Sequence, residues 1–538
     1  MLLIKLITIK TSFRLLFLTK TKGILNKIAV KTILVIYLKN PFLKSERQLT
    51  FPVKNGDGDF TSVSEKTEEN LAFVKEKLDC CSDVLYRRLE IGSEKAALVF
   101  CDGLCNSVLL NEGIIKPLTE IKAPLFTKRS IYETVTEKTY SGSDFKSGEN
   151  LNDIFPFLFS GCAILFADGM NCFLAFSVQG FEKRGFEEPH TEVQEKGTME
   201  GFVETLTDNI ALLRRKLKTP FLKTEEIIIG STSNTRVAVC YLSDRADKKT
   251  VESIKNKLKE IKIDSVLSSD YLAPYLDSGF LSLFSAVGRT ERPDTLCSKL
   301  GEGRVGIIAD GSPFAVFLPF LFTENFQASD DYCHRPFYSF FIRCLRLLCF
   351  FLSAMLPGIY VAVCVYHQEV LSQALLVEIA VQENVTPFSI TAEALTVHIM
   401  YEIVREAGLR MPKAVGHAVS IVGALVIGEA AVSAGIIAAP MVIIVALTAI
   451  GSFVVSPVYE SVSVLRLVFI IIGGMSGFFG IMLFFGACVI NICALNSENV
   501  PFSATLITAN IGSFRDVLFR LGWKKLGRRV LKIDRLEK

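Results

Sequence analysis

The rhythm of apolar and polar residues changes near residue 345. Before it, short apolar clusters alternate with charged ones; after it, long apolar runs are broken by brief charged stretches. The clearest run, residues 467–495 (LVFIIIGGMSGFFGIMLFFGACVINICAL), carries no charge. At about 1.5 Å per residue, a helix of that length exceeds a hydrocarbon layer of roughly 30 Å. Residues 345–366, 414–437 and 439–459 also read as spans. The stretch 370–405 is less apolar and contains Glu378, Glu383, Glu393, His398, Glu402 and Arg405. Those groups must face protein, water or an interface, because lipid solvates them poorly.

Upstream, the periods are those of a soluble protein. Residues 65–79 place Leu71, Val74 and Leu78 on one helical face. Two β-rich runs follow, KAALVFCDGL (95–104) and CAILFADGMNCFLAFSV (162–178), with Asp-Gly turn signals at Asp102-Gly103 and Asp168-Gly169. Residues 200–217 predict a helix with early acids and late arginines, matched to its dipole. A strand at 235–242, a charged helix at 248–261, a short strand at 263–266 and RVGIIADGSPFAVFLP (304–319) complete a second unit. The fold expected is an α/β cytoplasmic N-terminal region of two subdomains (61–199 and 200–335), followed by an all-α polytopic transmembrane domain (336–495) and a basic cytoplasmic tail (496–538). Residues 1–60 are apolar and punctuated by lysines, with no acid before Glu46. They read either as an extension without a folded role or as a basic helix on an anionic membrane surface.

Composition narrows the chemistry. A net charge of +3 does not indicate bulk nucleic-acid binding. The fourteen cysteines include no C-x-x-C pair, so they read as packing thiols. The five histidines are scattered, and no Walker A or G-x-S-x-G motif stands in a fitting context. Gly301 to Gly306 spells G-x-G-x-x-G but precedes a strand, leaving a phosphate no helix terminus to bind. No enzyme, cofactor or metal is expected.

Seven basic residues in the tail, from Lys524 to Lys538, place it in the cytoplasm. With both ends inside, four crossings result if 370–405 is re-entrant or lies on the surface. Arg405, Arg410 and Lys413 then fall on the outer side, against the same charge rule. Gly416, Ser420, Ala424 and Gly428 recur every four residues, and Gly473 and Gly477 form a G-x-x-x-G. Such stripes pack helices closely, either between copies of the chain or within one. Val419, Val422, Val426 and Glu429 mark another face of the first helix. In a symmetric ring these residues would line a constriction that gates by dewetting. The alternative is that Glu429 sits at a boundary or pairs with a neighbour.

From about residue 200 the chain resembles the A subunits of spore germination receptors, the GerA family. The resemblance rests on EGFVETLTDNIALLRRKLKTP (200–220), LDSGF (276–280), RTERPD (289–294), EGRVGIIADGSPFAVFLP (302–319), LPGIYVAVCVYHQE (356–369), REAGLRMPKAVGHAVSIVGALVIGEAAV (405–432) and VPFSATL (500–506). Two departures stand out. Lys196-Gly197-Thr198-Met199 precedes Glu200-Gly201-Phe202 where the family usually has R-G-P-R, and Glu429 stands where it usually has glutamine. The resemblance implies a nutrient receptor of the spore inner membrane that works with a transporter-like B subunit and a lipoprotein C subunit. It also implies a ring of A subunits forming a nutrient-gated cation channel. A membrane scaffold or a secondary transporter component is the alternative.

Overall fold

Strands send successive side chains to opposite faces, so a strand apolar at nearly every position must be covered on both sides. The computed structural model describes residues 61–121, 145–180, 196–277, 282–411, 428–504 and 516–518, with Tyr132, Val135, Pro189, Glu192, Gln194 and Gly279 between them. Its first unit runs Thr67–Lys77 (α1), Val84–Ile91 (β1), Glu94–Cys101 (β2), Phe145–Gly148 (β3), Ile154–Leu158 (α2), Cys162–Ala167 (β4) and Phe173–Ser177 (β5). The strands form one antiparallel sheet in the order β1-β2-β4-β5-β3. On one face Val99 and Ile164 pack with Val74, Leu78 and Phe155. On the other, Leu98 and Leu165 pack with Leu110, Ile114 and Leu118.

The second unit repeats the plan. Leu206–Lys216 (α3), Leu222–Ile229 (β6), Thr235–Leu242 (β7), Lys248–Glu260 (α4), Gly288–Thr290 (β8), Pro293–Gly301 (α5), Val305–Ala309 (β9) and Ala315–Leu318 (β10) follow one another. The sheet order is β6-β7-β9-β10-β8, the first order again, and every pairing is antiparallel. The expected α/β alternation therefore does not produce parallel strands. Helices α3 and α5 cover one face through Leu213 and Leu296, and α4 covers the other through Ile254 and Leu258.

The repetition extends to single hydrogen bonds. In α1, Asn70 accepts from the Ser64 amide (2.8 Å) and donates to its carbonyl (2.7 Å). In α3, Asn209 does the same to Val203, at 2.8 and 2.6 Å. The first amide of α1, at Thr67, donates to Asp168 (2.7 Å), and that of α3, at Leu206, donates to Asp310 (3.0 Å). Each aspartate satisfies an orphan helix amide and complements the dipole. Each precedes a glycine in the left-handed region, Gly169 at φ 83° and Gly311 at φ 84°. The two units share one architecture and one way of starting it.

Only one of the two expected Asp-Gly hairpins exists. Asp168-Gly169 joins β4 to β5, but Asp102-Gly103 ends β2 and leads into short helical turns. Gly92, at φ 64°, makes the first hairpin instead. Residues 263–266 form no strand, whereas β1 and β6 do although each carries several charges that mask a strand pattern in the sequence.

Beyond residue 335 the chain is helical: Pro336–Tyr366 (α6), Gln373–Glu383 (α7), Ile390–Arg410 (α8), Ala439–Val454 (α9) and Tyr459–Ala494 (α10). Helix α6 and the stretch containing α10 are long and apolar enough to cross a membrane; α9 is a shorter apolar helix. The single span expected at 467–495 is instead folded in two at Gly477, whose φ of 60° and ψ of −149° are not helical. Phe469 and Phe484 meet edge to face with centroids 4.9 Å apart, whereas a straight helix would separate them by about 22 Å. Ser461 bonds the Leu283 carbonyl and Asn491 bonds Ser282, so both ends of the hairpin return to one place.

Candidate functional site

A cavity of about 730 Å³ lies between the two sheet units. Its walls come from the end of α1, from α2 and from β7 and α4. Five lysines (Lys77, Lys218, Lys223, Lys248 and Lys255) face three acids (Glu76, Asp79 and Glu252), with Phe155, Phe221 and Tyr241 as apolar surface. Lys255 bonds Glu225 at 2.5 Å and lies 5.4 Å over the Tyr241 ring, whose hydroxyl bonds the same carboxylate at 2.6 Å. Lys223 bonds Asp79 and the Lys77 carbonyl across the gap. This mixed, lysine-rich lining suits a small polar or anionic molecule. No pattern in the sequence singled it out, because its residues are spread from position 76 to position 255.

Outside the cavity lining, a buried ion pair joins the two sheet units. Arg214 from α3 is fully buried and grips Asp83 bidentately, at 2.6 and 2.8 Å, while stacking 4.9 Å from the Phe159 ring. Thr224 donates to the same carboxylate at 2.5 Å, and its backbone bridges Cys80 and Ser82. Burial alone would raise the Asp83 pKa, but the guanidinium outweighs it and holds the carboxyl below its ordinary value.

A second charged cluster sits where the second unit meets the helices. Arg304 pairs with Glu324 at 2.5 Å and Lys299 at 2.6 Å joins it. Burial would raise Glu324, yet Arg304 and Lys299 bring it down to about 2. Arg343 is buried and bonds Asp331 at 2.9 Å and the Asp516 carbonyl at 2.5 Å. Arg346 bonds Asp331 at 2.8 Å.

The ionisable groups of 370–405 mostly face protein, as lipid solvation requires. Glu393 and His398 are fully buried, and Glu393 accepts from the Ala438 amide at the start of α9 (2.7 Å). Glu402 accepts from Tyr459 (2.6 Å) and pairs with Arg466 at 3.5 Å; Arg405 lies 3.2 Å over the Tyr459 ring. Glu378 is exposed.

Of the residues singled out for a pore, Val419, Val422 and Val426 lie outside the described residues, as do Gly416, Ser420 and Ala424 of the small-residue stripe. Glu429 is exposed, and Gly428 has open space where a Cβ would stand. Gly473 and Gly477 serve contacts inside the chain. A Cβ on Gly473 would collide with the Gly358 carbonyl of α6, and Gly477 turns the hairpin against Tyr366 and His367. Within the chain their G-x-x-x-G thus forms a bend and a crossing with α6. All fourteen cysteines are free, and burial pushes the Cys240 thiol to about 12. No group of metal-ligating side chains is gathered among the described residues.

The family model described as Bacillus/Clostridium GerA spore germination protein matches residues 72–531. Spore germination protein KA of Bacillus subtilis (strain 168) is 38% identical over 466 residues, covering 86% of this chain and 85% of that protein. Uncharacterized membrane protein YfkQ of the same organism is 35% identical over 495 residues, covering 90% and 95%. The crystal structure of the N-terminal domain of the A subunit of the Bacillus megaterium spore germinant receptor GerK3 is 29% identical, with a TM-score of 0.39, covering 49% of this chain and 99% of that one.

Proposed function

This chain belongs to the GerA family of spore germination proteins, as an A subunit, and we propose that it forms the membrane-embedded, cation-conducting part of a nutrient germinant receptor in the spore inner membrane. The family match over residues 72–531 carries this reading. Its partners are a transporter-like B subunit, a lipoprotein C subunit, lipid and further copies of itself arranged as a ring.

The helix directions support six crossings rather than four. Helix α6 starts beside the second sheet unit, where Arg343 meets Asp331, and ends at Tyr366 beside Gly477. Helix α8 runs back: Thr391 abuts Gly474 at the far end, and Glu402 meets Arg466 nearer the sheet unit. Helix α9 also starts at the far end, since the Ala438 amide bonds Glu393. The apolar run 414–437 then supplies a crossing between α8 and α9, and the α10 hairpin supplies two more. In that arrangement Arg405, Arg410 and Lys413 fall on the cytoplasmic side, where the charge rule wants them.

Val419, Val422, Val426 and Glu429 are the pore-lining residues of this reading. Closure is hydrophobic, and Glu429 acts on the cations that pass. Spores carrying Val422→Ala should germinate without nutrient, read as loss of optical density in buffer alone. Full dormancy in Val422→Ala and Val426→Ala spores, with normal protein levels, would remove this helix from the pore.

A second reading is favoured by the cavity: the chain itself takes a small polar molecule between its sheet units. It is compatible with the first, because the cavity and the helices lie in different parts of the chain.

A further inference from the structure

Helix α4 has two occupied faces besides the one against its sheet. Lys248, Val251, Glu252 and Lys255 line the cavity between the units. These positions share one helical face by their spacing of three and four. On roughly the opposite side, Ser253 donates to Glu498 at 2.8 Å and Lys257 donates to its other oxygen at 2.6 Å. Glu498 belongs to the turn that follows the α10 hairpin. There Asn496–Ser497 pairs with Val500–Pro501, and the Phe502 amide bonds the Leu495 carbonyl at 2.9 Å.

That turn holds an unusual residue. Glu498 has φ 44° and Asn499 has φ 66°, the pair of left-handed conformations of a type I′ turn. Asparagine tolerates this region, but glutamate pays a steric penalty there that glycine would avoid. The carboxylate explains its presence: the side chain of Glu498 is only 2% exposed, and it reaches back to α4. Backbone strain kept for the sake of one side-chain contact points to a role for that contact. The neighbouring Ser497 ties the same turn to the Ala286 carbonyl (2.7 Å) and the Phe320 amide (3.2 Å), so the hairpin end cannot move independently of the second sheet unit.

We propose that α4 is a coupling rod: its cavity face senses what fills the space between the sheet units, and its Glu498 clasp passes that state to the second half of the α10 hairpin. The two faces are about one helix diameter apart, roughly 10 Å. Coupling of this kind is reciprocal, so loosening the clasp must loosen the cavity wall. The inference does not depend on ion conduction; a scaffold would be coupled in the same way.

The test is hydrogen exchange on the full-length protein in lipid nanodiscs, without added ligand. Glu498→Gly removes the clasp while relieving the backbone, so the chain stays folded with an unchanged or higher melting temperature. Exchange should then rise by roughly tenfold or more in residues 248–260 and at the opposite rim, 76–80 and 152–156. Lys257→Met should behave the same way, and Lys257→Arg, which keeps the ion pair, should stay at the wild-type rate. An increase confined to 495–501 in Glu498→Gly and Lys257→Met would overturn the coupling. Loss of ion flux alone, with this exchange pattern intact, would count against the channel and not against the rod.

Discussion

Single buried charges decide how the sheet units are held together. Arg214 and Asp83 are 131 positions apart, and each is satisfied only by the other and by nearby backbone and hydroxyl groups. Removing one partner leaves the other charge buried and uncompensated, so Asp83→Asn or Arg214→Met should cost about 3–5 kcal/mol in denaturant unfolding. The pH dependence has a definite sign. The folded pKa of Asp83 lies below its unfolded value of about 3.9, so the stabilisation is complete above that value and is lost as pH falls through the folded pKa. Asp83→Asn removes this titration, so its unfolding free energy should fall less steeply than that of the natural chain as pH drops below about 4, measured by denaturant unfolding across pH. Neither residue was legible in the sequence. A long-range pair leaves no periodic trace, and Arg214 sat in a helix whose late arginines already had a reading as dipole partners.

At the scale of elements, the sequence showed what depends on local period and hid what depends on a bend. Strand β7 emerged at its observed bounds and α4 within one residue, because each has a clear periodicity and a turn or cap at its ends. The α10 hairpin did not emerge. Glycines inside an apolar run read as packing residues, and nothing local distinguishes one that turns the chain back from one that lets helices touch. Repetition of the αββ plan was similarly hidden, although Ala-Asp-Gly at 167–169 and 309–311 was a visible trace of it. Gly477→Ala tests the bend. A side chain there meets both a positive-φ, extended-ψ conformation that is essentially open to glycine alone, at about 1–3 kcal/mol, and the Tyr366 and His367 side chains. The variant should lose thermal stability in detergent by at least that amount, while Gly486→Ala, where nothing lies near a new Cβ, should not.

For the whole molecule, a pair of repeated sheet units is tied through Glu498 and Ser497 to a helical region rich in buried polar contacts. The family was legible from ordered motifs spread over more than three hundred residues. Helix directions were not legible, since charge alone set Arg405, Arg410 and Lys413 on the outer side, at odds with the rule that placed the tail. The function follows from joining family to helices, and cation flux through the purified chain in potassium-loaded liposomes is where the two meet. The natural chain should leak near the lipid background, Val422→Ala should leak well above it, and adding Glu429→Lys to Val422→Ala should bring the flux back down. Equal flux in all three, at the level of empty liposomes, would contradict a conducting A subunit.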